Sequence, residues 1–159
     1  MEHLKGKYGE AAVAQFSAPG NPLDVAGEKV GITFDQSRRV IRTTACHQVM
    51  EFLKTKEDKA HLQDAFMDKM FYAYFTEAKD LSDANELLQV AQDAGLDRAE
   101  CEGVISSDQF VDVIARKDGG FKRGGVSGVP FFILGGYKFS GAQPKETFLE
   151  ILEEMQEAM

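Results

Sequence analysis

The chain has two cysteines in 159 residues, Cys46 and Cys101, and they stand far apart, so no Cys-x-x-Cys pair exists in it. Three scattered histidines, His3, His47 and His61, give no spacing at which metal ligands could meet. Neither a metal nor another cofactor is therefore expected. Positive charge is scarce: 18 basic residues face 26 acidic ones, for a net charge of −8, and Arg38-Arg39 with Arg42 is the densest basic spot. An acidic chain with so small a patch does not suit a nucleic-acid partner, and the arginines read as a solvated approach to a helix. Long apolar runs are missing too. The longest falls far below the ~20 residues that a membrane helix needs, and no signal peptide or polybasic anchor is visible. The expected setting is the cytoplasm, where thiols stay reduced and a Cys46–Cys101 disulfide is disfavoured. No internal repeat or low-complexity tract is present.

What the chain has is a 43% hydrophobic content, enough for a core, in a mostly helical pattern. A short helix up to Tyr8 stops at Gly9, and another runs from Glu10 to about Phe16, where Pro19-Gly20-Asn21-Pro22 breaks it. Asp24 is a candidate N-cap for a helix over Val25–Val30, ended by Gly31 and followed by an extended Ile32-Thr33-Phe34. Thr43–Phe52 makes one helix. Leu62, Phe66, Met67, Met70, Phe71, Tyr74 and Phe75 then form an apolar stripe, read as the core-facing side of a helix rather than as a ligand channel. Asp83 and Asp97 cap two further helices, and Ser107 or Asp108 caps one through Phe110, Val111 and Ile114. The glycine pairs in Lys117–Gly125 should weaken that helix by up to about 1 kcal/mol per glycine, which predicts a flexible connection.

The last forty residues carry the most specific pattern. Gly125-Val126-Ser127-Gly128 delivers Pro130 to the first position of an apolar run, Phe131-Phe132-Ile133-Leu134, where a missing N–H is tolerated and an X-Pro bond can be cis. Gly135-Gly136 is a two-residue hairpin signal before Tyr137-Lys138-Phe139. After Ser140-Gly141-Ala142-Gln143, Pro144 opens an amphipathic helix with Phe148, Leu149, Leu152 and Met155 on one side. The reading is loop, buried strand, tight turn, strand and helix.

Val-Ser-Gly-Val-Pro-Phe-Phe and Ser-Gly-Ala-Gln-Pro resemble the DsbA-like thioredoxin-fold oxidoreductases, in particular the FrnE branch. More loosely, they resemble the 2-hydroxychromene-2-carboxylate isomerases and kappa-class glutathione transferases. Met1-Glu2-His3-Leu4-Lys5-Gly6-Lys7-Tyr8-Gly9 and Ala73-Tyr74-Phe75-Thr76-Glu77-Ala78-Lys79-Asp80-Leu81-Ser82 extend the likeness upstream. Family members open with a strand, Cys-x-x-Cys at a helix start and a second strand. This sequence has no counterpart of that unit, and it starts about fifty residues into the family pattern, judged from the size of a βαβ unit of about 30 residues.

The resemblance implies an α/β, thioredoxin-like fold of DsbA type that is predominantly helical. A helical insertion lobe would cover residues 1–118, and only the C-terminal ββα half of the sheet would be present, in 119–159. It also implies a cis Val129–Pro130 bond and a substrate wall of Ser127, Gly128, Val129 and Pro130, along which a peptide or a glutathione-like thiol would lie. In the family, the first cysteine of the pair attacks a partner disulfide from a helix N-terminus that stabilises its thiolate. No residue of this chain takes that catalytic place. His47 is the further candidate. Thr43-Thr44-Ala45-Cys46-His47 resembles a family segment whose histidine lies near the cleft, although Arg42 stands where asparagine is usual and Cys46 where alanine is usual. Cys46 and His47 are adjacent on a helix, point about 100° apart and do not make a nucleophile–base pair. Cys101 reads as an inert thiol on a short, exposed helix. The expected function is that of a FrnE-type thiol-disulfide oxidoreductase without its redox pair. A non-catalytic peptide- or thiol-binding module and a glutathione-linked isomerase or transferase are the alternatives. A strand with one neighbour also predicts a homodimer or a strand-exchanged oligomer.

Overall fold

The computed structural model describes residues 5–6, 9–18 and 20–157. The expected helix ahead of Gly9 lies largely outside them. The chain forms two compact units, residues 1–114 and 115–159, and the division falls inside a helix that also contains the expected 118/119 boundary.

In the first unit, α1 (Glu10–Ser17) precedes α2 (Pro22–Glu28). The cap of α2 is Asn21, not Asp24. Its side-chain oxygen accepts from the Leu23 and Asp24 amides at 2.9 and 3.1 Å, and Pro22 takes the first helical position, where no N–H is needed. Asp24 instead accepts from the Asn21 amide group at 2.9 Å and from Gln36 at 2.5 Å, which leaves Asn21 buried with its polar atoms satisfied. Beyond α2 the chain turns at Gly31 and folds back. The Gly27 carbonyl accepts from the Val30 and Ile32 amides, both at 2.9 Å.

That return leaves no room at Gly27. A Cβ there would lie 2.5 Å from the Ile32 carbonyl oxygen and 2.7 Å from the Phe34 ring. Replacing glycine by alanine inside a helix usually stabilises by up to about 1 kcal/mol. Here Gly27→Ala is expected to destabilise by roughly 1–3 kcal/mol, because backbone and ring must both move. Urea unfolding measures this, and an unchanged or raised midpoint would show that residues 32–34 shift without cost.

The helical core follows. It comprises α3 (Thr44–Lys54), a 3-10 turn (Glu57–Lys59), α4 (Leu62–Phe71) continuing as a π-helical turn (Tyr72–Thr76), α5 (Ala84–Asp93) and α6 (Arg98–Ile105). Asp83 accepts from the Asn85 and Glu86 amides, and Asp97 from the Glu100 amide at 2.8 Å, so both caps form as the sequence predicts. Packing of α3 on α6 and of α5 on α4 and α6 closes a core around Val49, Leu53, Phe66, Leu81, Leu87 and Cys101. Gln48 is buried in α3 and donates to the Val104 and Ser107 carbonyls at 3.3 and 2.6 Å, pinning the end of α6.

The aromatic stripe does not behave as one core face. Phe66 is fully buried, but Phe71 and Tyr72 are exposed. Five and six residues on from Phe66, they lie about 140° and 120° round the helix from it. A wide turn follows, in which Glu77 N–H reaches back five residues to Tyr72 O at 3.2 Å, and Lys79 N–H six residues to Ala73 O at 2.9 Å. Ala78 then takes a left-handed conformation (φ 52°) that ends the helix.

Next comes α7 (Val111–Arg123), which runs unbroken through Gly119-Gly120, where a flexible connection was expected. The stop comes later, as a Schellman cap. Val126 N–H bonds Phe121 O at 3.0 Å, Gly125 N–H bonds Lys122 O at 3.1 Å, and Gly125 supplies the positive φ of 89°. An intact ladder and a proper terminator outweigh the propensity cost of two glycines.

In the second unit, β1 (Phe131–Leu134) and β2 (Tyr137–Ser140) pair antiparallel, Phe131 opposite Ser140 and Leu134 opposite Tyr137. Gly135 has positive φ (55°) and Gly136 does not, the sign pattern of a type II′ turn. Helix α8 (Lys145–Glu157) covers one face. Phe148 meets Phe132 at 4.8 Å and Phe139 at 5.3 Å between ring centroids, the Tyr137 hydroxyl donates to Glu154 at 2.6 Å, and Met155 lies over Gly135. The sequence suggested a buried strand, but no described residue of this unit is buried, and Ile133 is 55% exposed. One partner strand and one helix are too little cover. The architecture is thus α/β, predominantly helical, with a two-stranded sheet at its C-terminal end.

Candidate functional site

The loop into β1 is built from both of its sides. Upstream, the glycine-terminated cap of α7 releases the chain at Val126. Downstream, Gly141, with φ 84°, donates its N–H to the Pro130 carbonyl at 2.9 Å and extends the β1–β2 ladder by one pair. Between these anchors Ser127, Gly128, Val129 and Pro130 are exposed, and the Val129–Pro130 peptide is cis. The Val129 side chain is 90% exposed. Neither its N–H nor its carbonyl has a hydrogen-bond partner among the described residues.

The alternation of an antiparallel ladder sets the direction of this edge. Because Pro130 points its carbonyl at β2, the N–H and carbonyl of Phe132 and Leu134 point the same way, and those of Phe131 and Ile133 point away. Phe131 and Ile133 therefore offer unpaired backbone along one side, and Val129, ahead of the cis bond, is unpaired as well. Gly141 was missed as a member of the site, although its place in Ser-Gly-Ala-Gln-Pro marked a turn.

His47 lies in the first unit, on the exposed side of α3, while its neighbour Cys46 is 3% exposed and points inward. Cys46 Sγ lies 3.9 Å from the Leu81 carbonyl oxygen. Cys101, expected on an exposed helix, is fully buried: the polar face of α6 turns outward, and Cys101 and Val104 turn into the core. Burial pushes both thiols up to about 11, with Glu100 and Asp97 adding to the shift at Cys101. Neither is a ready nucleophile, since only the thiolate attacks. Among the described residues no helix is long and apolar enough to cross a membrane, and no group of three His, Cys, Asp or Glu could hold a metal ion.

The pattern of the DSBA-like thioredoxin domain matches residues 23–153. The chain belongs to that family. Among solved structures it is similar to a probable DsbA oxidoreductase from Streptomyces coelicolor, with 25% sequence identity and a TM-score of 0.76. The likeness covers 95% of this chain and 64% of that one, so the chain spans less than two thirds of that relative's length. Comparison with curated proteins finds no match. The two-stranded sheet with its helical block is a DsbA-like thioredoxin fold.

Proposed function

We propose that this DsbA-like domain provides the substrate-holding wall of a FrnE-type thiol–disulfide oxidoreductase, and that the chain as given binds its substrate without exchanging disulfides. The observation that carries this reading is the exposed, unpaired backbone of Val129 beside the cis bond, a strand edge to which an extended peptide or a glutathione-like thiol can add. The buried thiols, pushed up to about 11, support the second half: without a Cys-x-x-Cys they favour a binding module over a catalyst. We also propose that the outer edge of β1, at Phe131 and Ile133, is paired by a second copy of the chain.

The test is amide chemical-shift mapping with a hexapeptide whose single cysteine is blocked as a methyl disulfide. Shifts are expected over Ser127–Pro130, short of the Phe131–Ile133 edge left to the second copy. Because backbone carries the contact, Val129→Thr should bind nearly as the parent does, whereas Val129→Pro removes the donor and should weaken binding about tenfold, the worth of one hydrogen bond of about 1.4 kcal/mol. Equal affinity of Val129→Pro would overturn the edge. Separately, insulin reduction should not exceed that of the Cys46→Ala/Cys101→Ala variant. Turnover abolished by Cys46→Ala alone would identify a nucleophile and refute the inactive reading.

A further inference from the structure

We infer that the helical unit carries a second binding site, for an amphiphilic cation: an aromatic or aliphatic body bearing an ammonium group. Between the chain return at Ile32–Phe34 and the α4–π segment lies a cavity of about 700 Å³, within the usual range for small-molecule sites. Its apolar walls are Leu23, Ile32, Phe34, Phe71, Tyr72 and Phe75. Ile32, Phe71 and Tyr72 are 46%, 48% and 57% exposed, so large apolar side chains that the core does not use gather on one concave surface.

The polar groups are few and of one kind. Thr33 and Thr76 add hydroxyls, and Asp68 is the one charged residue on the wall. Its carboxylate has no hydrogen-bond or ion-pair partner among the described residues. Aromatic faces and a carboxylate together are what a cation with an apolar body is attracted to, through ring quadrupole and charge. The rings already hold one cation: the Arg38 guanidinium lies 5.8 Å from the Phe34 centroid and 5.6 Å from that of Phe75. Arg38 does not line the cavity. It donates to the Asp35 carbonyl at 2.8 Å and to Gln36 at 3.3 Å, and the Asp35 carboxylate sits close enough to feel its charge. That leaves Asp68 to set the sign of the site. The wide π turn supplies Tyr72, Phe75 and Thr76 to the wall, the kind of helix irregularity that recurs at binding sites.

Three isosteric probes test this: 4-phenylbutylammonium, 4-phenylbutanol and 4-phenylbutyrate, each titrated against the whole chain with amide shifts followed. The ammonium compound is expected to bind tightest, with shifts at Ile32–Phe34 and Asp68–Thr76, and the carboxylate weakest. Asp68→Asn should weaken the ammonium probe by roughly three- to tenfold, leaving the alcohol unchanged, as an exposed charge contact allows. Phe71→Ala, at an exposed position that does not threaten folding, should weaken all three probes. Tightest binding by the carboxylate, equal binding of alcohol and ammonium, or shifts lying elsewhere would each overturn the proposal.

Discussion

Raising the pH from 9 to 11 is expected to cost the folded chain roughly 4 kcal/mol through its two thiols alone. In the unfolded chain each thiol ionises near 9.0, and in the fold burial pushes it up to about 11. Over that interval the unfolded state releases protons that the folded state keeps. The contribution is complete below pH 9 and drains away as the pH rises through 11. A shift of about two units is worth roughly 2.7 kcal/mol per thiol, and two thiols together match much of a typical domain's stability of about 5–15 kcal/mol. Both side chains are almost completely buried, so solvent does not dilute the effect. Lys59 and Lys79 are raised by hydrogen bonds to Glu100 and Glu77, and Tyr137 by its hydrogen bond to Glu154; all three add a slope of the same sign. The Cys46→Ala/Cys101→Ala variant separates the two sources. It should be less stable than the parent at pH 7, by roughly 1 kcal/mol per lost sulfur contact, and more stable above pH 10.5. Denaturant midpoints measured against pH would cross. Parallel curves would mean that the thiols are not sealed from water.

At concentrations on the order of 100 μM, the range in which a small interface associates, sedimentation is expected to give twice the 17.6 kDa of one chain. The associating edge lies in the second unit. Phe131 and Ile133 turn backbone donors and acceptors away from β2, the strand bears no charge, and Ile133 is 55% exposed beside them. Such an edge pairs readily with a copy of itself, because antiparallel pairing about a two-fold axis matches each donor with an acceptor. Ile133→Pro removes an N–H that faces outward and spares the β1–β2 ladder, so it should return the chain to a monomer with its hairpin intact. Phe132→Pro, by contrast, would break the hairpin. A parent chain that stays monomeric at these concentrations removes the proposed second copy.

How far the sequence could be read depended on whether the deciding forces were local. The hairpin, the turn at Gly135 and the caps at Asp83 and Asp97 were legible because one or two residues determine each of them. Asn21 was misjudged in favour of Asp24 because both residues can cap; Pro22 decides, since it suits only the first helical position. Gly119-Gly120 misled because propensity was weighed without the terminator at Gly125. The aromatic stripe was legible as far as Phe66. Beyond it, Phe71 lies about 140° round the helix from Phe66 and faces out, and nothing in the spacing of the residues announces the wide turn that follows at Tyr72–Thr76. The loop from Ser127 to Pro130 was legible as words, whereas its chemistry depends on the Gly141 amide reaching the Pro130 carbonyl.

Gln48 shows that shape is not the whole of what a buried position encodes. Its terminal NH2 points at the carbonyls of Val104 and Ser107, so the site asks for hydrogen-bond polarity as well as volume. Glutamate copies the outline of glutamine almost atom for atom, yet it would set lone pairs against lone pairs unless it carried a proton. Leucine, with the wrong outline and no polarity, would leave the Ser107 carbonyl without its donor, while that of Val104 keeps the Ser107 N–H and hydroxyl. Among near-isosteres, then, position 48 reads the direction of a dipole, a requirement invisible to any measure of hydrophobicity or size.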